Sequence, residues 1–455
     1  MSNNSSIAQS REANAQAMTE EIERLESAVL DARQTGDPAA LGDALLALGR
    51  AYFETGNTPK GLTQVEEALE IALSTGNQEA EARLWGYKGM AFARLGNTQF
   101  AQRALFRSLK LATEIGHKAL QADAQAQIGQ LMAERGESEK AISRLEQALA
   151  IALEMGDLLR TMTLAGKLGS LFLGMQSLDK AADYYAQALH TAQQLKLPRP
   201  ESSFLIGLGN VMLANDEPDA AVEQYEMALT LADNLDDGHA QIAALTSLLR
   251  AYLAAGRQSM VQLYGDQVIR IAREQGEPLA EITAINLLVD FLLAQGHAPR
   301  TVAYAERGLE IARAKEDWGW QLTMLSHLGS AELALQHWGD ALAYFTDALT
   351  QAQQLQDEAA QAQLYGRISA VLAAMDRFPE AIAAAEKALS IAEVIDDKRL
   401  IGEQQVLLAF AYYDSGEIEL AVACCQAAIS AYAALADEPG VEKVRFLLAE
   451  LLTKQ

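Results

Sequence analysis

A period of 40 residues runs without insertion or deletion through almost the whole chain, and it constrains the fold more than any other feature. Leu48-Gly49 is followed, at steps of forty, by Lys88-Gly89, Ile128-Gly129, Leu168-Gly169 and Leu208-Gly209. The frame continues through Leu248-Leu249, Leu288-Val289, Leu328-Gly329, Ile368-Ser369 and Leu408-Ala409. Ten units in one unbroken frame predict a stacked array, in which each unit buries its apolar face only against its neighbours. Such an array grows in one dimension, so 455 residues need no division into separate globular cores.

Each unit reads as a helical hairpin. In residues 37–76, Asp37 caps a helix whose apolar positions are Leu41, Leu45, Leu48 and Tyr52. Gly56-Asn57 breaks it, and Pro59 suits the first turn of the next helix. A second stripe follows, Leu62, Val65, Leu69 and Leu73, ended by Gly76. The first turn recurs in register as Gly96, Gly136, Gly256, Gly296 and Gly416, with Gln176, Asp216, Gln336 and Asp376 elsewhere. At the second turn Asp157, Asp237, Asp317, Asp357, Asp397 and Asp437 recur as caps, which accounts for part of the acidic excess. The expected organisation is a disordered start over 1–11, a capping helix over 12–36, ten repeats over 37–436 and a second capping helix over 437–455.

The net charge of −25 disfavours phosphate backbones, and no basic stripe offsets it, so nucleic-acid binding is not expected. The same charge favours a neutral to basic protein segment as partner, and it also keeps a long solenoid soluble. No apolar run is long enough to insert into a bilayer, and Met1 to Gln16 lacks the layout of a signal peptide. With two cysteines, the adjacent Cys424 and Cys425, no disulfide framework exists, and a cytoplasmic setting is expected. Enzyme signatures are absent, so no catalytic residue, cofactor or metal site is assigned. The six histidines show no metal-ligand spacing, and Gly207-Leu208-Gly209 is explained by the repeat.

The units resemble the tetratricopeptide repeat. The family's W-x2-L-G-x2-Y pattern is matched by Trp85-x2-Lys88-Gly89-x2-Phe92 and by Leu48-Gly49-x2-Tyr52. Its A-x3-F step is matched by Ala181-x3-Tyr185, Ala221-x3-Tyr225 and Ala341-x3-Phe345. The period of 40 exceeds the family's usual 34 and looks like the longer variant of LGN-type and kinesin-light-chain-type adaptors. The resemblance implies an all-α, right-handed superhelical solenoid of about ten antiparallel helical hairpins with N- and C-terminal capping helices. It also implies a concave groove, lined by the first helices, that holds a partner's extended peptide or helix.

On that implication the groove residues are Arg50, Arg94, Gln130, Asn210, Arg250, Asn286, Asp290 and Ser330. A further column changes along the chain, from Glu54, Arg94 and Glu134 to Gly174, Ala214, Ala254, Ala294, Ala334 and Ala374. These small residues either leave room for a ligand backbone or serve only as good helix formers. Trp318 and Trp320 form a secondary anchor for a partner or fill a junction gap. Lys88 and Glu332, polar at apolar positions, read as structural. In repeats six and seven Leu249 and Val289 replace glycine while Gly265 and Ala305 replace the aromatic, which reads as a bend over 245–310 or as compensated packing. The expected function is a non-catalytic interaction scaffold. The alternatives are a peptide-sensing regulator that changes superhelical shape, and a homo-oligomer.

Overall fold

The structure, a computed structural model describing the backbone of residues 2–453 and the side chains of 16–453, is helix and turn throughout the described residues. It divides into two compact units, Met1–Arg257 and Gln258–Gln455.

In the first unit α1 (Ser2–Thr35) precedes five hairpins. These are α2 (Pro38–Glu54) with α3 (Thr58–Thr75), α4 (Gln78–Arg94) with α5 (Thr98–Glu114), and α6 (Lys118–Glu134) with α7 (Ser138–Met155). Next come α8 (Leu158–Gly174) with α9 (Leu178–Leu195) and α10 (Pro198–Ala214) with α11 (Pro218–Asn234), and α12 (Gly238–Ala254) ends the unit. The second unit opens on α13 (Gln258–Gln275). Its hairpins are α14 (Pro278–Ala294) with α15 (Ala298–Ala314), α16 (Trp318–Ala334) with α17 (Trp338–Gln354), α18 (Glu358–Ala374) with α19 (Phe378–Val394), and α20 (Lys398–Asp414) with α21 (Ile418–Ala434). The last helix, α22 (Glu438–Thr453), follows them. The boundary between units thus falls in the turn of the sixth repeat, inside the stretch where the small-residue columns break. The helix boundary expected at residue 12 does not coincide with a helix start, because α1 begins at Ser2.

The turns explain the period. Every twentieth residue from Gly36 to Ala436 has positive φ, between 49° and 86°. A left-handed residue there turns the chain out of the helix while its neighbours satisfy the last carbonyls. At the first of the hairpin turns, Gly56 N–H donates to the Phe53 carbonyl at 3.2 Å and Asn57 N–H to the Tyr52 carbonyl at 2.8 Å. Gln176, Asp216, Gln336 and Asp376 hold the same conformation as the glycines they replace. The acidic caps follow: Asp157, Asp237, Asp317, Asp357, Asp397 and Asp437 each accept a backbone N–H from the next helix, at 2.9 to 3.2 Å.

Within hairpins the volumes of two columns are exchanged. A Cβ on Gly169 would meet the Tyr185 ring at 2.9 Å, and one on Gly329 the Phe345 ring at 2.6 Å. Where the first helix carries bulk instead, as at Val289, the facing position shrinks to Ala305, and both are buried. Gly265 is covered by Leu288, whose Cδ2 would lie 2.5 Å from an added Cβ. The irregular repeats are therefore compensated in volume. One expected core position is displaced: Leu73 is 53% exposed while Ala72 is buried. Alanine recurs every forty residues from Ala72 to Ala392, so the second helix turns this small face inward to allow close approach and leaves position 73 outside.

Each unit also has an inner layer. The alternate helices that approach one another are first helices: α4 with α6, α8 with α10 and α10 with α12 in one unit, α14 with α16 and α18 with α20 in the other. Among the described residues no helix is long and apolar enough to cross a membrane.

Candidate functional site

The first helices carry the groove residues, and most of these already have partners. Arg50, Gln130, Asn210, Arg250 and Asp290 are exposed, one step past the buried column position of their helix. Gly174, Ala214, Ala254, Ala294, Ala334 and Ala374 each end a first helix and are exposed.

In the first unit Arg50 lines a polar cavity of about 580 Å³ with Arg83, Tyr87, Asp123, Gln127 and Arg160. Arg94 is engaged elsewhere: its guanidinium donates to the Phe53 carbonyl at 3.0 Å and lies 5.9 Å from the Phe53 ring, tying α4 to α2. Gln130 donates to Glu134 along its own helix at 3.1 Å. Asn210 accepts the Tyr225 hydroxyl proton at 2.7 Å. Burial pushes the Tyr225 hydroxyl well above the usual phenol range, against the opposing pull of Arg250. The phenol therefore stays a donor, and Asn210 and Arg250 both stand beside it.

In the second unit Asn286 and Asp290, one turn apart on α14, converge on His327 of α16. His327 Nε2 lies 2.9 Å from Asn286 Oδ1, and its Nδ1 lies 3.7 Å from Asp290 Oδ1. Burial lowers the His327 pKa, with Asp290 pulling the other way, so the ring is held toward its neutral form. Ser330 donates to the Ser326 carbonyl at 2.9 Å and is half-buried. The two tryptophans separate: Trp318 is 47% exposed, whereas Trp320 lines a crevice with Pro278, Leu279, Ile282 and Ile311.

The two polar intruders are structural. Lys88 pairs with Glu66 at 2.8 Å and lies over the Trp85 and Phe92 rings. Glu332 takes a hydrogen bond from His337 Nδ1 at 2.7 Å. With Asp340 these form the group among the described residues whose donor atoms converge, all within 4.8 Å. That group straddles a helix turn, which is why ligand spacing along one helix does not reveal it. His337 is already spent on Glu332, and both His337 and Asp340 are exposed.

The tenth repeat holds residues that sequence reasoning missed. The column from Ala44 through Leu84, Ala124, Leu164, Phe204, Ala244, Ala284, Met324 and Leu364 is apolar until it reaches Gln404. The alanine column from Ala72 to Ala392 breaks at the same unit, at Tyr432. Gln404 is 2% exposed, and its Oε1 has no hydrogen-bond partner. Both residues line a cavity of about 600 Å³ among α18, α20, α21 and α22. Comparing all ten units column by column is the signal that finds them.

Stacked hairpins of this length, closed by left-handed turns and small-residue columns, define a helical-repeat solenoid. A family model described as tetratricopeptide repeat matches residues 80–154. The helical hairpin of that matched segment recurs along the described residues, so the chain has a tetratricopeptide-like repeat fold. The crystal structure of apo RapI is similar over 73% of this chain and 98% of its own, at 14% identity and a TM-score of 0.57. A signal-transduction ATPase with numerous domains and a tetratricopeptide-repeat sensor, from Pyrococcus horikoshii, is similar over 90% of this chain and 55% of its own, at 14% identity and a TM-score of 0.55. At these identities the likeness is one of fold. No curated protein matches the sequence.

Proposed function

We propose that this chain is a non-catalytic protein-interaction scaffold of the cytoplasm that holds an extended peptide or helix of a partner protein against its first helices. The observation that carries the reading is the inner layer of each unit. Exposed Arg50, Gln130, Asn210 and Arg250 in the first unit and Asp290 in the second offer hydrogen-bonding groups, and the small residues that end six first helices leave room for a ligand backbone. A preformed face of this kind binds without first paying to order itself. The chain's acidity favours a neutral to basic segment as the main occupant. Repeats 37–436 form the binding array on this reading, with 12–36 and 437–455 as caps.

Affinity capture with wild type and Arg250→Glu side by side, read by mass spectrometry, tests it. A partner retained by wild type and lost by the variant supports the groove. A partner that survives the variant removes Arg250 from the site and with it this assignment.

A second reading, a peptide-sensing regulator, draws on the division into two compact units within the sixth repeat. The sensor role named for the repeats of the Pyrococcus protein is the same class of function. A peptide-dependent change in scattering radius would favour this reading over a rigid scaffold.

A further inference from the structure

The tenth repeat departs from the other nine at two positions that line one cavity, Gln404 and Tyr432. Tyr432 stands where nine units carry a buried alanine, and its ring is accommodated by two glycines. A Cβ on Gly402 would lie 2.9 Å from the ring, and one on Gly440 3.0 Å. Gln404 stands where nine units are apolar, and Gly366 makes space for its amide, since a Cβ there would meet Oε1 at 2.4 Å. Drift compensated for volume would place a hydrocarbon at 404, as Phe204 does beside Gly166 in the fourth and fifth repeats. A buried amide oxygen without a donor costs stability, and Gln404 Oε1 is one of three such oxygens among the described residues, with those of Gln127 and Gln351.

The cavity floored by Gln404 has a volume of about 600 Å³, within the range of ligand sites. Leu407, Phe410, Val444 and Leu447 make it largely apolar, and Phe410 is 45% exposed. Arg367 and Lys443 line it too, both exposed and neither in an ion pair among the described residues, with Glu403 as the one anion among the lining residues. In a chain of net charge −25 two unpaired cations around one apolar hollow are a local reversal of sign.

We infer that this cavity is a recognition pocket for a partner segment carrying an apolar side chain next to an acidic one. The apolar side chain fills the hollow beside Phe410 and Leu447. A backbone N–H of the segment supplies the donor that the Gln404 amide lacks, the amide turning about its soft terminal torsion to meet it. The neighbouring carboxylate reaches Arg367 and Lys443. The inference rests on the scaffold reading and gives one end of the inner face a sequence preference.

The probes are acetyl-Ser-Leu-Asp-Ser-amide and its counterpart with asparagine for aspartate, observed by saturation-transfer NMR with the full chain. Wild type should saturate the leucine methyls of the first probe, with binding about fivefold weaker for the second probe and for Arg367→Glu/Lys443→Glu. Gln404→Met should weaken binding of the first probe and at the same time raise the melting temperature, because it removes an orphaned buried oxygen. Absence of binding by wild type, equal binding of the two probes, or a Gln404→Met protein that binds unchanged or melts no higher would each overturn the pocket. A mass that rises with concentration in wild type but not in Gln404→Met would hand the pocket to a second copy and overturn the partner assignment. Arg250 is in the other unit, so failure of the Arg250→Glu capture and failure of this pocket are read by separate residues.

Discussion

Tyr225 lies across Gly209 so closely that a Cβ there would sit 2.4 Å from its ring, and its hydroxyl bonds the next residue, Asn210, at 2.7 Å. One aromatic side chain thus closes the hairpin and orients a candidate ligand-binding amide. Gly209→Ala should cost about 1–3 kcal/mol by overpacking. Tyr225→Ala should cost about 3–5 kcal/mol through the cavity it leaves. Combined, the two changes reproduce the small-against-small pairing of Ser369 and Ala385, so their costs should fall short of additive in a denaturant double-mutant cycle. Additive costs would mean that the ring relaxes away from position 209 freely.

The left-handed turn residues give a second prediction. Ala436 holds φ of 53° and Gly416 holds 86°, at equivalent places in successive turns. An alanine in this region is strained by about 1 kcal/mol relative to glycine. Ala436→Gly should therefore raise stability and Gly416→Ala lower it, each by about 1 kcal/mol, in matched thermal unfolding scans. Equal and opposite shifts are expected although neither residue touches the core.

The buried carboxylate of Glu281 gives a third. Its side chain is 4% exposed and takes hydrogen bonds from Arg273 and Arg307, so it joins α13, α14 and α15. Both arginines are partly exposed, which screens the pairs. Glu281→Gln keeps one acceptor oxygen and should cost about 1–2 kcal/mol. Glu281→Ala abandons both arginines and the packing and should cost about 3 kcal/mol or more. A glutamine variant as damaged as the alanine variant, by chemical denaturation, would show that charge and not hydrogen bonding joins the three helices.

The hairpins, their turns and their caps were legible because each follows from a local rule repeated ten times: a left-handed residue, an aspartate, a stripe of apolar positions. Four non-glycine turn residues were placed by register alone. What the period does not encode is which polar groups find each other across the inner layer. Arg94 reads as an open groove cation, yet the Phe53 carbonyl lies within its reach only once α2 and α4 are stacked. Asn286 and Asp290 are an unremarked pair on one helix until His327 arrives from the next first helix. Leu73 looked like core because the stripe was read from large residues, whereas the close approach is made by the alanines. Gln404 and Tyr432 were visible in the sequence, but only to a comparison of columns beyond those that define the family pattern.

His327 sets a pH dependence whose sign is fixed by burial. Its folded pKa lies below the ordinary value of 6.5, because desolvation outweighs the attraction of Asp290. The unfolded chain therefore binds this proton more readily than the folded one. The stabilising contribution is complete above the unfolded pKa and is lost as pH falls through the folded value. Stability of wild type relative to His327→Gln should thus decline on acidification below about pH 6.5. Denaturant unfolding of both proteins across this window measures the difference, and an NMR titration of the His327 ring protons reports the folded pKa directly. A wild type that gains on the variant as pH falls would mean that the imidazolium pairs with Asp290. The Asn286–His327–Asp290 cluster would then present a cation to a ligand, where the neutral ring carries no charge, its Nε2–H being committed to Asn286 and its Nδ1 left as an acceptor.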